Sequence, residues 1–221
     1  MQFKNIDIFC QVIDNFGDAG VVYRFAKEFK IKHNYCRVRV FIDNLDVLQS
    51  IDRSISTECF SQKIEDITWI DSTQLTVDLV RQLGTAEIII EAFACQIPEC
   101  YLESALFNNS LIINLEYLSA EGWVEGYHLK ESLLSRGNSR KFFFMPGFST
   151  GTGGLIFNSW FKNNKEVLKA QKLEILRSHI QKNSICVEFD KSSLVGSVFT
   201  YQRGFDAFLR DLESLDKKII L

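Results

Sequence analysis

The chain is poor in the residues that would commit it to a metal site, a disulfide framework or a polyanion. Its 221 residues include three histidines and six cysteines. His33, His128 and His179 fall at no metal-ligand spacing, and Cys10, Cys36, Cys59, Cys95, Cys100 and Cys186 form no CxxC pair. Zinc ligation is thereby disfavoured, and the cysteines read as small buried apolar side chains in a reducing compartment. Lys and Arg number 25 against 28 Asp and Glu, a formal net charge of −3, with no basic block. A nucleic-acid surface, which leans on clustered cations, is therefore not expected, whereas a basic protein partner is compatible. No run of 18 apolar residues occurs, and the opening MQFKNIDIFC holds no signal-like stretch. The expectation is a cytoplasmic monomer with no membrane contact, no metal and no cofactor. Internal repeats and low-complexity tracts are also lacking.

What is present is a substantial core. The chain is 46% apolar and 24% charged, enough for one large domain or two modest ones. Strand-length apolar runs alternate with helix-length amphipathic segments. Strands are predicted at residues 6–13, 38–42, 67–70, 87–90, 111–115 and 141–145. Helices are predicted at 20–32, 45–51, 76–83 and from Pro98 to about 107. Several strands are apolar on both faces, which predicts a parallel sheet covered on both sides, a Rossmann-like α/β domain over 1–157. A polar helical connection is expected over 158–193. Strand, helix and strand readings at 194–199, 205–215 and 218–221 then predict the beginning of a second α/β unit over 194–221.

The strongest local signal is Asp14-Asn15-Phe16-Gly17-Asp18-Ala19-Gly20, between the first strand and the first helix. In an open parallel sheet, ligands gather outside the carboxyl ends of the strands, where this loop lies. It is not GxGxxG, and two carboxylates would repel a pyrophosphate set between them, so a dinucleotide dehydrogenase is disfavoured. Two readings stay open from spacing alone. Asp18 caps the helix and Asp14 closes a turn, or the pair grips a cation such as a guanidinium. The glycines of Thr150-Gly151-Thr152-Gly153-Gly154 read equally as a backbone anion nest or as a hinge.

Five separated blocks carry a resemblance. Ile8-Phe9-Cys10 with Val12 to Asp18 resembles the opening of the elongation factor P arginine rhamnosyltransferases, the EarP family. The resemblance continues through Ile90-Glu91-Ala92-Phe93-Ala94-Cys95 with Pro98-Glu99, and through Asn114 to Glu121. It ends with Phe142 to Phe148 and with Thr152-Gly153-Gly154-Leu155. This resemblance implies a GT-B fold of two Rossmann-like domains. It implies inverting transfer of L-rhamnose from dTDP-β-L-rhamnose to an arginine of elongation factor P, the acceptor being held by the amino-terminal domain. Asp18 then corresponds to the base and Asp14 to a second functional aspartate. Asn15, Phe16, Gly17, Asp18 itself and Tyr201 correspond to donor contacts. Phe157 and Asn158 stand where the family usually has Arg-Glu. Because the family's dTDP-binding residues have no counterpart before Leu221, an inactive remnant that only binds elongation factor P is the alternative expectation. Glu91, Glu116 and Tyr117, at the ends of predicted strands, are candidate acceptor contacts. For the two glutamates a structural hydrogen-bonding role is at least an equal reading, and for Tyr117 packing under the loop is the favoured one.

Overall fold

The structure, a computed structural model, describes residues 3–132, 139–156, 158–182, 192–196, 198, 204–215 and 217–220. The chain divides into two compact units, Met1–Trp160 and Phe161–Leu221.

The first unit alternates strand and helix. Its elements are β1 (Asn5–Cys10), α1 (Phe16–Lys32), β2 (Arg37–Ile42), α2 (Leu45–Ile51), β3 (Ser61–Ile64), β4 (Ile67–Asp71), α3 (Val77–Leu83), β5 (Ile88–Ala92), α4 (Glu99–Phe107), β6 (Leu111–Leu115), β7 (Glu131–Ser132) and β8 (Lys141–Phe144). They form one eight-stranded sheet in the order β3-β4-β2-β1-β5-β6-β8-β7. The six inner strands are parallel, and β3 and β7 pair antiparallel at the two edges. The sheet is thus mixed rather than wholly parallel. Strand order runs outward from β1 in one direction through β2 and β4, and in the other through β5, β6 and β8. The topological switch point lies between β1 and β5, where such sheets open a crevice for ligands.

Period-two alternation sorts the side chains into two layers. Ile6, Ile8 and Cys10 of β1, with Val38, Val40 and Ile42 of β2, pack against Ala19, Val22 and Ala26 of α1 and Leu48 of α2. Phe9, Phe41, Ile89 and Ile112 face the other way, onto Val80 of α3 and Tyr101 and Ala105 of α4. In this second layer Asp7 and Arg39 are fully buried as a pair, with Arg39 Nε donating to Asp7 Oδ1 at 2.7 Å. Arg39 Nη2 donates to Asp7 Oδ2 and to the Gly84 carbonyl, and Nη1 donates to the Leu83 carbonyl, both carbonyl contacts at 2.8 Å. The Tyr101 hydroxyl donates to Asp7 while accepting from Ala86 N–H. Desolvation and the Asp7 charge raise the Tyr101 phenol far above its ordinary range.

Two differences from the sequence reading bear on the site. β1 ends at Cys10 rather than at 13, and α1 begins at Phe16 rather than Gly20, so Phe16, Gly17, Asp18 and Ala19 form the first helical turn. An acidic residue in a first turn suits the helix dipole, which offsets the glycine there. The β3–β4 hairpin was not expected. Its turn residues Glu65 and Asp66 both have positive φ, 47° and 61°, a conformation usually announced by Asn-Gly.

Helices α5 (Ser159–Ala170) and α6 (Lys172–Lys182) replace the single helical connection expected, broken at Gln171. α5 starts in the first unit, where Ser159 donates its N–H and its hydroxyl to the buried Glu28 carboxylate of α1, both at 2.7 Å. In the second unit β9 (Leu194–Val195) and β10 (Ile219–Ile220) pair in parallel around α7 (Asp206–Glu213). Phe157 and Tyr201 lie outside the described residues. No helix among the described residues is long and apolar enough to cross a membrane.

Candidate active site

The cleft at the carboxyl ends of β1, β5, β6 and β8 is built from four loops. Asp14, Gly17, Asp18, Tyr117, Glu116 and Phe93 line a space of 460 Å³ together with Arg24, Pro146 and Leu155. The two aspartates are not equivalent. Asp14 is exposed at the mouth, whereas Asp18 is 1% exposed.

Asp18 holds its loop together. Its Oδ2 accepts from the backbone N–H of Ile13 at 2.9 Å and of Asp14 at 2.8 Å, and its Oδ1 accepts from the Tyr117 hydroxyl at 2.9 Å. The capping expectation is corrected in form: Asn15 occupies the position before the helix and makes no side-chain cap bond, while Asp18, three residues in, reaches backward to the loop amides. Asp14 does close a turn, through its carbonyl, which accepts from Gly17 N–H at 2.7 Å. A Cβ on Gly17 would sit 2.7 Å from Asp14 Oδ2. Glycine at 17 is therefore what lets the Asp14 carboxylate lie against the first turn.

Tyr117 is set by an unusual backbone. Phe93 and Ala94, just beyond β5, both adopt left-handed conformations, with φ of 58° and 52°. Each costs about 1 kcal/mol or more for a residue with a side chain. Phe93 N–H bonds to Leu115 O at 2.7 Å and Ala94 N–H to Asn114 Oδ1 at 3.2 Å, which offsets part of that cost. In this conformation the Phe93 ring stacks on Tyr117, centroids 4.2 Å apart and planes 12° from parallel. Desolvation first, then the Asp18 hydrogen bond and charge, push the Tyr117 phenol up to about 12, so it remains a neutral donor.

The other expected residues divide. Glu116 lines the same cleft and accepts from Asn114 Nδ2 at 2.7 Å. Glu91 does not: it pairs with Lys141 at 2.6 Å and lines a neighbouring 740 Å³ depression with Asp43, Cys95 and Glu99. Asn15, just before α1, and Phe16, its first residue, are both exposed. Tyr201 is outside the described residues. The nest reading of residues 150–154 is not met for two of its amides, since Thr152 and Gly153 N–H already bond to Ser149 and Met145 carbonyls. Among the described residues no three potential ligands gather as a metal group. The sequence reading missed Phe93, Asn114 and Arg24 as site residues. Phe93 and Asn114 stand inside blocks already singled out, but the ring stack depends on a backbone conformation that a Phe-Ala pair does not advertise.

The arrangement offers a buried carboxylate with directed lone pairs, an exposed second carboxylate and a glutamate around one opening, a setting for a cationic, hydrogen-donating group. Comparison with known proteins gives the same region a lineage. The family model described as Elongation-Factor P (EF-P) rhamnosyltransferase EarP matches residues 6–221. The protein-arginine rhamnosyltransferase of Pseudomonas putida is 34% identical over 200 residues, covering 89% of this chain and 50% of that protein. Its counterpart in Shewanella oneidensis is 32% identical over 210 residues, with the same coverage, and that of Pseudomonas aeruginosa 36% identical over 156 residues, 68% of this chain and 39% of that protein. The chain thus spans about half the length of the first two of these relatives. With matched residues running from β1 through the second unit, the chain belongs to the EarP family of elongation factor P rhamnosyltransferases.

Proposed function

We propose that this chain takes part in transferring L-rhamnose from dTDP-β-L-rhamnose to an arginine of elongation factor P, with inversion at the anomeric carbon. The observation that carries the reading is the buried Asp18 carboxylate, fixed by three hydrogen bonds at a cleft whose mouth holds Asp14. Arginine is protonated up to a pKa above about 12, and an ordinary aspartate ionises near 4. Eight pK units amount to roughly 11 kcal/mol, so removing the proton before attack is too costly. In the proposed scheme Asp14 and Asp18 clamp the guanidinium and aim one nitrogen at the sugar. As the new C–N bond forms, the bond from the anomeric carbon to the diphosphate oxygen breaks, dTDP leaves with the electron pair, and the nitrogen's proton passes to Asp18. Glu116 supports the basic acceptor, while Asn15, Phe16 and Gly17 contact the donor; the expectation for Tyr201 falls outside the described residues.

The full proposal is a GT-B enzyme acting as a cytoplasmic monomer, with no metal or other cofactor in the scheme. Family membership and the cleft's carboxylates support it. The test is the intact mass of elongation factor P after incubation with this chain and dTDP-β-L-rhamnose. A gain of one rhamnose, abolished when the acceptor arginine is replaced by lysine, is expected. An Asp18→Asn variant should bind the acceptor but lose at least about 100-fold in turnover. No gain with elongation factor P still bound would reduce the chain to acceptor capture, and neither gain nor binding would refute the reading.

A further inference from the structure

The blocks around Phe93 and Tyr117 are joined in a way that the transfer scheme does not use. Phe93 and Ala94 take left-handed conformations, and their two N–H groups are tied to Leu115 O and Asn114 Oδ1. Asn114 in turn donates to Glu116. The result is a Phe93 ring lying parallel to Tyr117 at 4.2 Å, with the Tyr117 hydroxyl 2.9 Å from Asp18 Oδ1. Strain concentrated in two adjacent residues beside a cleft, with a packed aromatic pair as its outcome, calls for a purpose.

We propose that Tyr117, braced by Phe93, is the positioning residue for Asp18 and determines which lone pair that carboxylate presents to the acceptor. The inference rests on the reading of Asp18 as the acceptor's base. A carboxylate has about four acceptor sites. Two N–H donors occupy Asp18 Oδ2, and the Tyr117 hydroxyl occupies one site on Oδ1. One site remains, on Oδ1, next to the Tyr117 oxygen. Asp18 therefore receives a single N–H of the guanidinium in one direction, and the nitrogen bearing it is the one turned to the sugar. Without the hydroxyl, the carboxylate loses the bond that fixes Oδ1, and the acceptor settles mainly in a register of similar affinity whose nitrogen misses the sugar. Tyr117 itself touches no reacting atom in this scheme. Phe93 limits the tilt of the half-exposed Tyr117 phenol ring by stacking on it.

The test is a double-mutant cycle of Tyr117→Phe, which keeps the ring stack, with Asp18→Asn. Tyr117→Phe should lower kcat for the protein acceptor by about 10- to 100-fold, the range of one hydrogen bond to a charged group, with acceptor KM within about threefold. In the Asp18→Asn background the same substitution should cost less than about twofold, because the residue acts through Asp18. A merely structural role would give equal losses in both backgrounds, and that result overturns the proposal, as does unchanged turnover in Tyr117→Phe alone. If the chain transfers no sugar, the same cycle is read in calorimetric binding of elongation factor P: coupling between the two substitutions supports the proposal and strict additivity overturns it. Wild-type activity in Asp18→Asn would instead refute the underlying assignment of Asp18, and absence of any acceptor binding would refute the functional reading as a whole.

Discussion

Gly17→Ala separates stability from function at one atom. Gly17 sits in the first turn of α1, where alanine is the better helix former by up to about 1 kcal/mol. The new Cβ would lie 2.7 Å from Asp14 Oδ2 and 3.3 Å from Asp14 Cγ, against an ordinary contact that begins at 3.4 Å. The clashing atoms are the far end of an exposed side chain, so the fold yields by swinging the carboxylate away by about 0.7 Å, the shortfall from 2.7 to 3.4 Å. Thermal stability is therefore expected to stay level or rise slightly. Misplacing a reacting or clamping group by about 1 Å costs on the order of 100-fold, so about 0.7 Å corresponds to roughly 25-fold in turnover or in productive acceptor binding. Melting curves together with acceptor titrations of Gly17→Ala measure both quantities. A variant that melts no lower and retains acceptor handling within twofold would show that Asp14 has no need of its place against Gly17. A variant that melts several degrees lower would refute the claim that the clash is absorbed by the side chain alone.

Other consequences are independent of that loop. Asp7→Ala leaves the buried Arg39 without its carboxylate and should destabilise the first unit by about 3–5 kcal/mol in urea unfolding, with Asp7→Leu/Arg39→Met recovering much of it; a loss under 1 kcal/mol would contradict the burial of the pair. Glu28→Ala removes both hydrogen bonds at Ser159 and should cost about 1 kcal/mol, seen as several-fold faster amide exchange at the start of α5. Burial raises the Cys95 thiol from 9.0 to about 12 and raises Cys10 further. Because the folded value lies above the unfolded one, the stability from the neutral Cys95 thiol is complete below pH 9 and lost as pH climbs toward 12. At pH 8, alkylation followed by peptide mass mapping should therefore label the exposed Cys59 well before Cys10 or Cys95; equal labelling would show that the core opens.

Much of this architecture was readable because its strands are buried on both faces. β5 and β6 open on the runs Ile88-Ile89-Ile90 and Leu111-Ile112-Ile113, and α2 and β6 fall at the residues their patterns predicted. The hairpin at β3 escaped because Ser61, Gln62 and Lys63 form a polar edge and its turn lacks glycine. The start of α1 was misplaced because Gly17 and Asp18 are loop-forming residues by type, yet at the first turn the dipole and the missing Cβ make both suitable. Asp14 and Asp18 were legible as a carboxylate pair from spacing. Their inequality was not, since it depends on Tyr117, 99 positions further on from Asp18, reaching across to one of them.

The buried pair of Asp7 and Arg39 is tied to Leu83, Gly84 and Ala86, just ahead of β5, whereas Asp18, Phe93 and Tyr117 lie beyond the opposite ends of the strands. A protein so arranged can evolve at one pole without renegotiating the other. Asp18 and Tyr117 make no hydrogen bond in common with the Asp7–Arg39 pair, so the effects on stability of changes at these two residues should add simply to those of changes at the pair. Selection is then free to reshape the cleft one residue at a time, on a scaffold whose persistence is secured elsewhere.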